Sequence, residues 1–183
     1  DILCVDKTGT ITKGMMEVTG LEPLDGSAPE ALEEDIRCML GALSDNNATF
    51  RALTERFGCE NALEASRIIP FSSARKWSAA SFAGRGTLAI GAAEFVMGGR
   101  ISAELRARID AHARAGARVL LLCQSGQEIA GDALPDDLAP RAIVTLSDVL
   151  REDAAETIAF FAEQDVALKV ISGDDPLTVG SVA

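Results

Sequence analysis

The sequence predicts an α/β chain: a parallel sheet interrupted by an inserted unit of mixed helices and strands. Three observations carry that reading. Ile2 to Val5 is a short, unbroken apolar run, as a strand covered on both faces requires. From Ala142 onward the pattern is strand, helix, strand, loop, helix, the rhythm of a βαβ unit with parallel strands. Between these two ends the signals change to helices followed by hairpin-like strands, so the ends read as one domain split by an insertion, a tolerated arrangement where the interrupted chain ends lie close together.

In order, Ile11 to Leu24 is a looser extended stretch broken by Gly14 and Gly20. Pro29 precedes a helix from about Glu30 to Leu43, with Leu32, Ile36, Met39, Leu40 and Leu43 at helical spacing. A second helix fits Ala48 to Phe57 and stops at Gly58. From Arg67 the signals become extended. Trp77 to Phe82 and Thr87 to Ile90 read as two strands joined by Ala83-Gly84-Arg85-Gly86, a hairpin turn. Ile101 to Ala115 is a helix and Arg118 to Cys123 a strand.

The polar, proline-bounded passage from Pro135 to Pro140 marks a boundary. After it, Ala142 to Ser147 reads as a strand, Glu152 to Gln164 as a helix and Val166 to Ile171 as a strand. Ser172 to Asp175 is a loop, and Pro176 suits the first position of a helix. The expected division is residues 1–17 and 142–183 for the split domain and 18–141 for the insert.

Composition narrows the function. With 183 residues and 48% hydrophobic content, the chain can bury a core. A net charge of −11 argues against nucleic acid or anionic lipid as the main partner. The four cysteines, Cys4, Cys38, Cys59 and Cys123, form no C-x-x-C pair. They suggest neither a zinc site nor a disulfide frame. No apolar run has the length to cross a bilayer. Starting at Asp1 directly in a strand and ending at Ala183 within an expected helix, the chain is expected to be a piece of something longer.

The chemistry gathers at strand ends, where ligands of open parallel sheets sit. Asp6 follows the first strand and Ser172-Gly173-Asp174 follows the last. A carboxylate can attack a phosphoryl group to give an aspartyl phosphate, and such a transfer needs positioning and charge neutralisation. Lys7 can offset charge, Thr8, Thr10 and Ser172 can donate hydrogen bonds, and Gly9 permits close backbone approach. A hard cation on Asp6 and a backbone carbonyl suits magnesium. His112, on a helix with Arg108 and Arg114, is expected to face solvent. Glu33, Glu34 and Asp35 are assigned to a helix dipole, and Trp77 to packing.

The string Asp6-Lys7-Thr8-Gly9-Thr10-Ile11-Thr12 resembles the phosphorylation motif of P-type ATPases, D-K-T-G-T-[LIV]-T. The likeness extends along the chain in order. Phe71-Ser72-Ser73-Ala74-Arg75-Lys76 is similar to the family's F-x-S-x-R-K pattern, Gly91-Ala92-Ala93-Glu94 to part of K-G-A-P-E, and Asp148 to Arg151 to D-x-x-R. Ser172 to Thr178 is similar to [TS]-G-D-x-x-x-T.

The resemblance implies an incomplete haloacid-dehalogenase-like parallel sheet, the phosphorylation domain, carrying an inserted α+β nucleotide-binding domain. It implies that ATP phosphorylates Asp6 to drive cation transport in the intact protein. Asp6, Lys7, Thr8, Ser172, Gly173 and Asp174 would then be catalytic, with Asp6 and Thr8 holding Mg2+. Phe71, Arg75, Lys76, Gly91 and Arg151 would bind ATP. The partners implied are ATP and the transmembrane and actuator domains of the same protein, and the location is the cytoplasmic side of an integral membrane protein. An exposed sheet edge could pair with another molecule.

Two departures stand out. Ile90 occupies the place of the lysine before G-A-P-E, and Ala93 that of its proline, so weak ATP binding is expected. The His-Pro pair of the heavy-metal class is absent, which leans toward another cation. The alternative reading is a soluble haloacid-dehalogenase-type phosphatase. Against it, Thr8 stands where such enzymes usually carry a second aspartate.

Overall fold

The computed structural model describes residues 2–6, 10–60, 63–164 and 166–171, with the backbone alone at 6, 155, 162, 167, 168, 170 and 171. Its main body is a six-stranded antiparallel sheet in the order β2-β7-β6-β5-β4-β3. The strands are β2 (Thr12–Pro23), β3 (Ala65–Ile69), β4 (Trp77–Phe82), β5 (Gly86–Gly91), β6 (Arg118–Ser125) and β7 (Ala139–Leu150). Apart from it, β1 (Ile2–Asp6) and β8 (Ala167–Ile171) form a two-stranded parallel pair.

Helices cover both faces of the large sheet. On one lie α1 (Pro29–Ala42) and α2 (Ala48–Phe57). Leu32, Ile36, Met39 and Leu40 of α1, each no more than 2% exposed, pack there with Ala80, Phe82, Leu88, Leu122, Val144 and Leu146. Each leucine so buried contributes about 1.5–3 kcal/mol. On the other face lie α3 (Ala93–Met97) and α4 (Ala103–Arg114), packed on Ile69, Trp77, Ala79, Ala89, Leu121, Cys123 and Ile143. Odd and even positions of β4 therefore feed different cores, as the two-residue period of a strand dictates. This double burial leaves every residue of β4 and β5 buried, Ser78, Ser81 and Thr87 among them.

Local chemistry sets the element ends. Asn47 caps α2 by accepting from the Phe50 amide at 2.9 Å, and Gly58, at φ 81°, stops it. Ser102 caps α4 through the Leu105 amide at 3.2 Å. These caps satisfy amides that a helix start would otherwise leave unpaired.

The structure corrects three expectations. Residues 142–147 do not pair in parallel with 167–171. They belong to β7, which runs antiparallel to β2 and β6, while the parallel partner of β8 is β1. The apolar run fitted either arrangement, and its partner β2 lies more than a hundred residues upstream. Positions 17 and 141, beside which the expected division falls, lie within β2 and β7.

Asp35 does not sit at a solvated helix start. It is buried at 4% exposure, 2.6 Å from Arg85 and 3.5 Å from Arg141. Arg141 also pairs with Asp25 and donates to Ser27 and Gln124. His112 is half-buried rather than free, with Nε2 2.6 Å from Glu22 Oε2. Arg108 donates to the other oxygen of the same carboxylate. These two contacts hold the Glu22 carboxyl below its ordinary range, the His112 hydrogen bond foremost.

Candidate functional site

A cavity of about 420 Å³ opens at one end of the large sheet, on the α1/α2 face. Its floor is the start of β4 and the end of β5, where Trp77 pairs with Gly91 and Ser78 with Ile90. Phe71 lines it and is 39% exposed, an aromatic ring left available beside a polar opening. Lys76, Ser78, Ile90 and Gly91 line it from the sheet. Three expected nucleotide residues, Phe71, Lys76 and Gly91, thus meet in one hollow.

The segment carrying them is tightly turned. Lys76 has φ +61°, a backbone conformation that side-chain-bearing residues rarely adopt and that surrounding structure must hold. Its amide donates to Ser72 O at 2.8 Å, and its carbonyl accepts from Ala92 at 3.0 Å. Gly91 is required by close approach. A Cβ there would lie 2.4 Å from Trp77 Cβ and 2.5 Å from Lys76 O. The neighbouring chain can run this near the cavity floor only because position 91 has no side chain.

Two lining residues escaped sequence reasoning. Asp45, between α1 and α2, accepts from the Phe71 amide at 3.2 and 3.4 Å. Arg118 opens β6 and donates to Thr49 Oγ1 at 3.3 Å. Both come from chain segments far from the 71–76 stretch, so no local pattern could flag them. The cavity therefore carries two cations, Lys76 and Arg118, and one carboxylate.

The remaining expected residues lie elsewhere. Arg75 does not line the cavity; its guanidinium sits over the Trp77 ring, Cζ 5.5 Å from the centroid. Arg151 follows β7 and is exposed, its side chain paired with Asp153 at 3.0 and 3.2 Å. That pair holds the Asp153 carboxyl below its ordinary range. The Arg151 amide donates to Ile11 O at 3.0 Å. Asp6 is the last residue of β1, in register with Ile171 of β8. Lys7, Thr8, Ser172, Gly173 and Asp174 lie outside the described residues, as does the side chain of Asp6. Because β1 and β8 are parallel, the backbones at Asp6 and Ile171 leave the pair at the same edge.

Strand register relates this edge to the cavity. Arg118 pairs with Leu146, and beyond it β7 continues to Leu150, paired with Thr12 of β2. The cavity thus opens at the end of the sheet from which β2 and β7 lead to the segments bearing Asp6 and Arg151. Among the described residues, no group of three or more His, Cys, Asp or Glu side chains could hold a metal. No described helix is long and apolar enough to cross a membrane.

No family model matches the chain. Along its whole length it is 37% identical to a probable cation-transporting ATPase of Streptococcus pneumoniae and 37% to the calcium-transporting ATPase CtpE of Mycobacterium bovis. It is 29% identical to the ATP-binding subunit of a potassium-transporting ATPase of Xanthomonas campestris. The chain spans about 23% of the length of the first two and 26% of the third. In structure it resembles a zinc-transporting PIB-type ATPase in its E2·Pi state, with a TM-score of 0.70 at 22% identity, over all of this chain and 27% of the other.

Proposed function

From the premise that the chain belongs to the P-type ATPase family, we propose that it is the nucleotide-binding and phosphoryl-accepting part of a cation-transporting ATPase. ATP would bind in the cavity, and Asp6 would accept its γ-phosphoryl group. The observation that carries this reading is the meeting of Phe71, Lys76 and Gly91, with Arg118, in one hollow at the sheet end that leads toward Asp6. The division at about residues 17 and 141 belongs to the same reading, with β2 and β7 as the paired connection between a haloacid-dehalogenase-like domain and its insert.

The residues divide the work by chemistry. The Phe71 face offers a stacking surface for a base, of the kind worth about 1–3 kcal/mol for aromatic platforms in nucleic-acid proteins. Lys76 and Arg118 supply charge for the phosphates, and Arg151, whose amide donates to Ile11 O, adds a guanidinium. In the transfer, an Oδ–P bond forms at Asp6 as the bond to the β,γ-bridging oxygen breaks, and ADP leaves with the electron pair. Magnesium would neutralise charge on the phosphates. Its expected holders, Asp6 and Thr8, offer the hard oxygen donors it prefers. Lys7, Ser172, Gly173 and Asp174 are proposed to surround the phosphoryl group.

The relatives named for calcium and potassium transport, with the missing His-Pro pair, support a cation outside the heavy-metal class. The proposed setting is the cytoplasmic side of a membrane protein, whose other domains would be partners in the same chain.

The experiment has two arms. In the full-length protein, Asp6→Asn should abolish an acid-stable, hydroxylamine-sensitive phosphoenzyme formed from ATP; labelling that survives overturns the assignment of the nucleophile. On the 183-residue chain, ATP should bind with Kd on the order of 1 mM, about −4 kcal/mol. Phe71→Ala should weaken it several-fold, and unchanged binding in that variant overturns the pocket.

A further inference from the structure

We propose that Arg75 is a positioning residue: it clamps the Pro70–Lys76 turn in the shape that presents Phe71 and Lys76 to a nucleotide, and does not bind phosphate itself. The proposal rests on the nucleotide reading of the cavity and concerns how that site is held.

Parity along the strand is the first argument. Ala80 and Phe82 pack in the core under α1 and α2, while Trp77 and Ala79 pack in the core under α3 and α4. Ser78 shares the parity of Ala80 and lines the cavity, and Lys76, just before the strand, lines it too. Arg75 lies in the turn that precedes β4 and, unlike Lys76, does not line the cavity. Its guanidinium carbon lies 5.5 Å from the centroid of the Trp77 ring, within cation–π range. Trp77 is itself only 7% exposed, so the ring is a fixed support.

Hydrogen bonding is the second argument. Arg75 Nη2 donates to Pro70 O at 2.8 Å, and the Arg75 amide donates to Ser72 Oγ at 3.1 Å. One side chain therefore spans from Trp77, just after Lys76, back to Pro70, just before Phe71. Between those points Lys76 is held at φ +61°, a state that persists only when neighbours over-determine it. Asp45 fixes the Phe71 amide from the cavity side. Arg75 fixes the same turn from behind. With Nη2 on Pro70 O and its carbon over the indole, the guanidinium takes no part in the cavity lining.

The test separates a clamp from a ligand by counting phosphates. Adenosine, AMP and ATP are titrated into the 183-residue chain, following the backbone amide resonances of Phe71 and its neighbours. Lys76→Gln should lose affinity in proportion to phosphate number and leave adenosine unaffected. Arg75→Met should lose a similar factor for all three ligands, roughly threefold to tenfold, as lost preorganisation acts on the whole site. Its unliganded Phe71 and Lys76 amides should shift.

Arg75→Lys keeps a cation over the ring but lacks the planar fork to Pro70 O, and should fall between. It also carries the test if Arg75→Met does not fold. A loss that grows with phosphate number in either Arg75 variant makes Arg75 a phosphate ligand and overturns the proposal. Unchanged affinity for all three ligands overturns it as well. If the unsubstituted chain binds none of them, the nucleotide reading fails instead. The unliganded shifts at Phe71 and Lys76 then still decide whether Arg75 holds the turn.

Discussion

Glu22 serves two partners with one carboxylate, tying α4 to β2 through Arg108 and His112. Because its folded-state pKa is lowered from the ordinary 4.5, the unfolded chain takes up that proton more readily. The stabilisation is therefore fully present above pH 4.5 and is lost as pH falls through the lowered value. Urea midpoints measured at pH 7 and about pH 3 should differ less for Glu22→Gln than for the unsubstituted chain. Equal differences would show that the triad adds nothing. The triad is also where a reading of residues one at a time stops. Phe71, Lys76 and Gly91 could be picked out because two short strings, 71–76 and 91–94, each resemble a motif of the family. His112 could not be placed, because its partner lies 90 residues away.

At the level of elements, the buried Asp35 joins α1 to the β4–β5 turn through Arg85 and to β7 through Arg141. Asp35→Ala would leave two arginines facing each other over a void, with Asp25 the remaining counter-charge on Arg141. Breaking such a group costs about 3–5 kcal/mol, so chemical denaturation should show a loss of at least about 3 kcal/mol with an unchanged m-value. A loss under about 1 kcal/mol would mean that solvent replaces the contact. Most elements were legible from period and punctuation: Gly58 stops α2, and the Gly84 turn separates β4 from β5. The short α3 was not legible, since five residues, Ala93–Met97, hold too little periodicity to register. Nor was the pairing of β7, because an apolar run specifies burial and leaves the partner strand open.

Across the whole molecule, the two sheets differ in support. The six-stranded sheet is covered on both faces, whereas β1 and β8 form a two-stranded pair, an arrangement marginal in water on its own. Native-state hydrogen exchange should find the slowest amides in β4, β5 and β6, and amides of β1 and β8 exchanging at least about a hundredfold faster. Equal protection would show that the pair shares the cooperativity of the large sheet. The way β2 meets β7 also bears on how the molecule comes into being. Thr19 and Thr145 touch across that pairing while 126 residues apart in sequence. Bringing such distant segments together carries a loop-closure term of about 4 kcal/mol. During synthesis at about 5–20 residues per second, β2 leaves the ribosome roughly 6–25 s before its partner exists. Through that interval Met16, Val18 and Leu21, which end in the core, have no strand beside them. The nascent chain thus carries an open apolar face until β7 is made, and that interval is when a chaperone would have most to hold.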